Sequence, residues 1–285
     1  MYAKSKYLNP RNDVAFKMLF GTEDHKDLLI SFLNGVLELD GPREIKDVTF
    51  LTPMQVPKFA GAKLSIVDVL CRDQSGVQYI VEMQISQNPD FVKRVQYYAA
   101  KAYTHQLKVA ENYPQLNQVV FLAIADHIIF PKKADYKSLH ITKDVKTQEN
   151  DLQAFRFTFV ELPKFTKELG DLTTIEDKWL YFLRYADHEK EMPDLFKGTT
   201  IEEAYVTLDR FNWSDSQIIT YEDAALAIVD YEGTIKHAVK HAVAEGKIDT
   251  AKNLLKAGAS IELIKAGTGL SEAEINQLKS EPTSL

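Results

Sequence analysis

The stretch from Lys63 to Gln84 constrains the fold of this chain more than any other. Two runs rich in β-branched and aromatic residues, 64–71 and 78–85, flank the polar segment Asp73-Gln-Ser-Gly-Val77. That pattern reads as a hairpin, with Gly76 free to take the positive φ that a tight turn demands. Pairing symmetric about Ser75 sets Asp68 opposite Glu82 and Ile66 opposite Gln84. Side chains alternate along a strand, so Asp68, Glu82 and Gln84 share one face. Directly opposed residues lie about 4.5–5.5 Å apart at Cβ, where like charges are destabilising. Two carboxylates facing each other inside an apolar hairpin call for a divalent metal or a shared proton.

Composition bears on what such a site can serve. The chain has 285 residues, 45% hydrophobic and 26% charged, enough apolar content for a sizeable core. Its one cysteine, Cys71, excludes an internal disulfide and a cysteine-based zinc site, and its place inside a strand marks a small core residue. No apolar run approaches the roughly 20 residues of a membrane helix, and Met-Tyr-Ala-Lys-Ser-Lys at the start lacks an apolar signal region. A cytoplasmic location without membrane association is expected. The net charge of −7 argues against indiscriminate nucleic-acid binding, so any DNA-binding surface has to be a local basic one.

Residues 1–12 read as a polar arm. A helix follows, capped by Asn12 or Asp13, with Val14, Phe16, Leu19 and Phe20 apolar and Gly21 as its end. Lys17, one turn after Asp13, either contacts phosphate or faces solvent, and solvent is favoured. A second helix spans 26–37, and 45–51 reads as a short strand. After the hairpin, a helix from Pro89 to about Glu111 has the apolar set Phe91, Val95, Ala99, Ala102 and Val109. A second stripe, Arg94, Tyr98, Lys101, His105 and Lys108, advances by 4, 3, 4 and 3 residues and so stays on one face. A basic stripe with an interleaved tyrosine suits a phosphate backbone; it also suits an ordinary solvated face. The apolar run 119–125 reads as a strand buried on both faces at the sheet's centre. Residues 132–151 read as polar loop, and 155–160 as a further strand.

Beyond Phe165 the strand signals stop. Helices are expected over 175–186, 201–211 and 214–231, with Trp179, Leu180, Phe182, Leu183, Tyr205, Leu208 and Phe211 as their cluster. A long helix from about Ile235 to Ala257 has a potential break at Gly246. His237 and His241 stand at i, i+4, but no third ligand is placed to complete a metal site. Short helices led by Ser260 and Ser271 give the tail the outline of a small helix-turn-helix. Its last helix bears Glu272 and Glu274, which suits packing or dimerisation at least as well as base reading. The expected division is a core over 1–165, a helical subdomain over 166–233 and a helical tail over 234–285.

Asp68, a hairpin and Glu82-Met-Gln84 together resemble the PD-(D/E)xK nuclease superfamily, with Gln84 where lysine is usual. Five blocks sharpen the likeness: Asn12–Phe20, Ser65–Val69, Val81–Gln84, Glu161–Phe165 and Lys178–Phe182. In that order they resemble the Rpn family of recombination-promoting nucleases, also described as PD-(D/E)xK family transposases. The resemblance implies an α/β restriction-endonuclease-like core, a mixed sheet flanked by helices, with an α-helical C-terminal region. It implies that Asp68, Glu82 and the carbonyl of Met83 hold Mg²⁺ or Mn²⁺, that Asp13 lies on a helix abutting the active site, and that Gln84 takes the lysine's position. It also favours Arg94 and Tyr98 as functional, with DNA as substrate and Lys17, Lys101 and Lys108 as further contacts. A glutamine orients by hydrogen bonds but adds no positive charge. The first function expected is a metal-dependent DNA endonuclease linked to recombination or mobile elements, for which a homodimer would place two sites on one duplex. Competing with it are a nuclease-fold DNA- or protein-binding module with little or no catalysis, and a core hairpin whose carboxylates face each other by chance.

Overall fold

The computed structural model describes residues 5–55, 65–107 and 112–280. Lys63, Leu64, Lys108 and Val109 lie outside them. The chain divides into two compact units, one ending at Ala225 and the next beginning at Leu226.

In chain order the strands are β1 (Val48–Phe50), β2 (Met54–Gln55), β3 (Ser65–Ile66), β4 (Val69–Asp73), β5 (Gln78–Gln84), β6 (Val119–Ala125), β7 (Lys137–Ile141) and β8 (Phe155–Glu161). Six form one sheet in the order β1-β4-β5-β6-β8-β7, and β2 pairs with β3 apart from it. β5, β6 and β8 run parallel, while β1, β4 and β7 join antiparallel. Every residue of β6 is buried, as its unbroken apolar run requires of a strand with helices on both faces. The helices are α1 (Asp13–Phe20), α2 (Lys26–Val36), α3 (Phe91–His105), α4 (Ile175–Tyr185), α5 (Thr200–Leu208), α6 (Asp215–Lys256), α7 (Ile261–Thr268) and α8 (Glu272–Ser280).

Alternation along β5 assigns the two faces. Val81 and Met83, with Leu122 and Ile124 of β6, belong to a core shared with Phe16, Phe20, Phe32, Trp179 and Tyr205 of α1, α2, α4 and α5. Phe20 and Phe32 stack at 4.6 Å, and Trp179 meets both rings edge-on. Ile80, with Phe121 and Ala123, faces Phe91, Val95 and Ala99 of α3 on the other side. The sheet is therefore the middle of three layers.

The hairpin turn matches the sequence reading closely. Gly76 has φ +95°, and Asp73 Oδ1 accepts from the backbone N–H groups of Ser75 and Val77 and from Ser75 Oγ. Val69 pairs with Val81 and Leu70 with Ile80, which is the expected register. The first strand of the hairpin is nevertheless broken. Asp68 sits in a bend between β3 and β4, and Ile66 pairs with Met54 instead of lying opposite Gln84. The cause is a competing partner: Val67 N–H donates to Pro53 O, drawing the chain off the sheet just before Asp68.

Other expectations are corrected too. Within the expected polar arm, the described residues from Ser5 are not all polar surface: Tyr7 and Leu8 are buried, and Leu8 N–H donates to Leu208 O at 2.9 Å. The expected loop 132–151 contains β7, an edge strand whose polar Lys137, Ser138 and His140 disguise it. Phe211 is 90% exposed, since α5 ends at Leu208, leaving it outside the aromatic cluster. α6 runs through Gly246 without interruption. In the second unit Ala251, Ile264 and Ile275 form a small core. Gly269 at φ +70° ends α7, and Ser271 caps α8 by exchanging hydrogen bonds with Glu274.

Candidate active site

The break after Val67 builds the site. Extending the β4–β5 register by one residue places Asp68 opposite Glu82, and each carboxylate is held by a backbone N–H of the facing strand segment. Asp68 N–H donates to Glu82 Oε2 at 3.2 Å, and Met83 N–H donates to Asp68 Oδ2 at 2.9 Å. In an extended strand the N–H and C=O of one residue point to the same side. The Met83 carbonyl therefore faces the side on which β4 has already ended.

Both carboxylates are almost out of water, with side chains 14% and 9% exposed. Burial raises the pKa of each well above the ordinary carboxylate range. The Asp68 charge pushes Glu82 up further, against partial relief from the Asp68 N–H, Arg94 and Lys17. For Asp68, the Met83 N–H and Lys17 act against the rise and Asp13 adds to it.

Two cations flank the pair from opposite layers. α1 delivers Lys17, whose Nζ lies 3.4 Å from Asp68 Oδ1 and 2.6 Å from Asp13 Oδ1. The expected solvent-facing Lys17 is met in part: its side chain is 40% exposed, but its ammonium turns to Asp68 and Asp13. Burial opposes its charge, but Asp13 and Asp68 outweigh that and raise its pKa. Asp13 is not the helix cap. Asn12 fills that role, its Oδ1 accepting from Val14 N–H at 3.0 Å, and Asp13 is left to hold Lys17.

From the other layer α3 delivers Arg94. Its guanidinium donates to Gln84 Oε1, lies 3.7 Å from Glu82 Oε1, and packs against the rings of Phe91 and Tyr98 at 5.3 and 5.9 Å. Gln84 Nε2 donates to Ser86 O at 2.7 Å. Both ends of the Gln84 amide are therefore engaged, which makes it a clamp on Arg94.

The stripe on α3 is not a solvated face. Tyr98 is 9% exposed and belongs to the α3-side core, where its ring supports Arg94. The accessible ring is that of Tyr97, with Lys101 Nζ 5.9 Å from its centroid. Sequence reasoning missed Tyr97, although its i, i+4 spacing to Lys101 was a usable signal. Lys108 is not among the described residues.

Among the described residues no three histidine, cysteine or acidic side chains converge on one metal position. The oxygen groups at the strand break are the two facing carboxylates and, on the same side of β5, the Met83 carbonyl. That set suits Mg²⁺, which is usually bound through one or two carboxylates while keeping waters and substrate phosphates as its other ligands. The carboxylates' mutual repulsion, only partly relieved by the Asp68 N–H, Arg94 and Lys17, is the feature of this structure that a cation would satisfy.

Among the described residues no helix is long and apolar enough to cross a membrane. No curated protein and no solved structure matches the chain. A family model does, over residues 10–238, a span that takes in every residue of the site. On that match, and with the mixed sheet and paired carboxylates in place, the chain belongs to the PD-(D/E)XK nuclease family transposases.

Proposed function

We propose that this protein is a metal-dependent DNA endonuclease of the Rpn kind, with Asp68, Glu82 and the Met83 carbonyl as ligands for Mg²⁺ or Mn²⁺. The observation that supports this most is the buried Asp68–Glu82 pair at a strand break, linked by Asp68 N–H to Glu82 Oε2. Nothing in the packing of an apolar hairpin needs two facing carboxylates there. A divalent ion bound to them would polarise a scissile phosphate and lower the pKa of a bound water.

The chain's own residues supply the rest. The Met83 N–H orients Asp68, and the Asp68 N–H orients Glu82, so both ligands are fixed by backbone rather than by mobile side chains. Arg94, clamped by Gln84 and two rings, stabilises charge on the side of Glu82. Tyr97 and Lys101 offer a stacking surface and a phosphate contact farther along α3, and Lys108 lies beyond them in sequence. Work on a duplex by two copies of the chain, in the cytoplasm, completes the reading, with recombination or mobile-element movement as the setting that the family name suggests.

The test is nicking of supercoiled plasmid in Mg²⁺ or Mn²⁺, beside folded Asp68→Ala and Glu82→Ala proteins. Cutting by wild type and loss in both variants is expected. No cutting with any divalent ion, or equal cutting by the variants, would replace the nuclease with a nuclease-fold binding module.

A further inference from the structure

A PD-(D/E)xK site without its lysine lacks a positive charge beside the reacting phosphate, and Gln84 cannot supply one. We propose that Lys17 supplies it, reaching the site from α1 on the opposite face of the sheet from Arg94. The inference rests on the nuclease reading and names the group that completes the site.

Three observations lead to Lys17. Its ammonium is already at the carboxylate pair, 3.4 Å from Asp68 Oδ1. A second anchor, Asp13, holds it at 2.6 Å from one helical turn away, so the charge would stay at the site if a cation displaced it from Asp68. The side chain is 40% exposed, which leaves one side of the ammonium open to an incoming phosphate. An ammonium has three donors, and the two carboxylates account for two.

Arg94 is less suited to the part. Its guanidinium is spent on Gln84, Glu82 and two aromatic rings, and its Nε is buried without a hydrogen-bond partner among the described residues. It is a fixed wall of the site, whereas Lys17 can shift between partners. Gln84 is accordingly a positioning residue, and the cation that lysine provides in the usual motif comes from another element.

In the hydrolysis, a water oxygen forms a bond to phosphorus and the bond from phosphorus to the leaving ester oxygen breaks. The water loses a proton to solvent and the leaving oxygen gains one from solvent. Negative charge builds on the non-bridging oxygens meanwhile. Lys17 stays protonated throughout and stabilises that charge, as preorganised donors do in a water-poor site.

The experiment uses full-length protein and single-turnover cleavage of a plasmid at saturating enzyme. Lys17→Met should slow cleavage by about 100-fold or more, the usual loss for one transition-state donor. Its affinity for Mn²⁺, read by calorimetry, should be equal to or tighter than that of wild type, and its affinity for uncut duplex in Ca²⁺ should fall by less than about tenfold, as for one lost phosphate contact. A Lys17→Cys protein treated with 2-bromoethylamine regains an ammonium at the same reach. The only native cysteine, Cys71, is fully buried with its thiol pushed up to about 12 by that burial, so the introduced thiol is the one that reacts. Treatment should restore at least a tenth of the wild-type rate and leave wild type unchanged.

Cleavage by Lys17→Met within fivefold of wild type would overturn the proposal. So would a rate loss matched by an equal loss of DNA affinity, or a folded Lys17→Cys protein that stays slow after aminoethylation. An inert wild type would instead bring down the nuclease reading, and this inference with it.

Discussion

Asp177 and Glu82 are carboxylates buried in the same unit, at 1% and 7% exposure, and their surroundings treat them in opposite ways. Asp177 accepts from Lys167 Nζ at 2.6 Å, from the backbone N–H groups of Thr173 and Thr174 at 3.1 Å, and from Thr173 Oγ. Burial works against its charge, yet Lys167 and those N–H groups outweigh it and bring the carboxyl down to about 2. Glu161 is built likewise, holding the N–H groups of Ile129 and Phe130 and the ammonium of Lys164. Glu82 has a facing carboxylate, a single backbone N–H and an arginine 3.7 Å away, and its pKa rises. Burial of charge alone does not mark a functional site. The mark is a buried charge that the protein leaves short of partners, because only such a group gains from a ligand.

The contrast can be broken by substitution. Asp177→Ala removes one half of the capping box with Thr174 and leaves the N–H groups of Thr173 and Thr174 without their acceptor, and should destabilise the protein by about 2 kcal/mol. Glu82→Gln should do the reverse in metal-free protein at neutral pH, stabilising it by about 1–2 kcal/mol because folding no longer buries a carboxyl that must take up a proton or stay charged beside Asp68. Chemical denaturation of both variants checks the pair, and destabilisation by Glu82→Gln would end the contrast.

Acid separates the two regions by sign. Asp68 and Glu82 hold protons in the folded state at pH values where the unfolded chain has lost them. Stability of the metal-free protein should therefore fall as pH rises from the ordinary carboxylate range through their raised values. Asp177 is depressed, so its contribution is present above the ordinary aspartate value and is lost as pH falls towards about 2. Melting curves against pH should have a shallower first slope in Glu82→Gln, where only Asp68 still contributes to it, and should lose the second in Asp177→Asn. The smallest effect belongs to the edge of the site: Lys101→Ala should lower the salt dependence of DNA binding by about one counterion, with cleavage at saturation unchanged.

What the sequence revealed of this arrangement follows a physical line. Local pattern was enough for the hairpin register, because Gly76 and the alternation around it determine the pairing. It was enough for β6, whose apolar run has no other place than the middle of the sheet. It failed where long-range partners decide. The β-branched run through Ile66, Val67 and Val69 looks continuous, and only the hydrogen bond to Pro53 shows why it breaks at Asp68. β7 lies at an edge with its side chains at best half-buried, so its polar residues carry no alternation signal. Lys17, one turn after Asp13, reads from sequence as facing solvent, since nothing local says that Asp68 lies beside it. Tyr98 looked like a ligand on a basic stripe until the packing of α3 turned it inward.

The central claim is that the Asp68–Glu82 repulsion is a metal site held ready by the fold. A calorimetric titration of Mn²⁺ into wild type, Glu82→Gln and Asp177→Asn tests it most directly. The account predicts one site in wild type, retained in Asp177→Asn and lost in Glu82→Gln. Binding that is absent from wild type, or undiminished in Glu82→Gln, would contradict it.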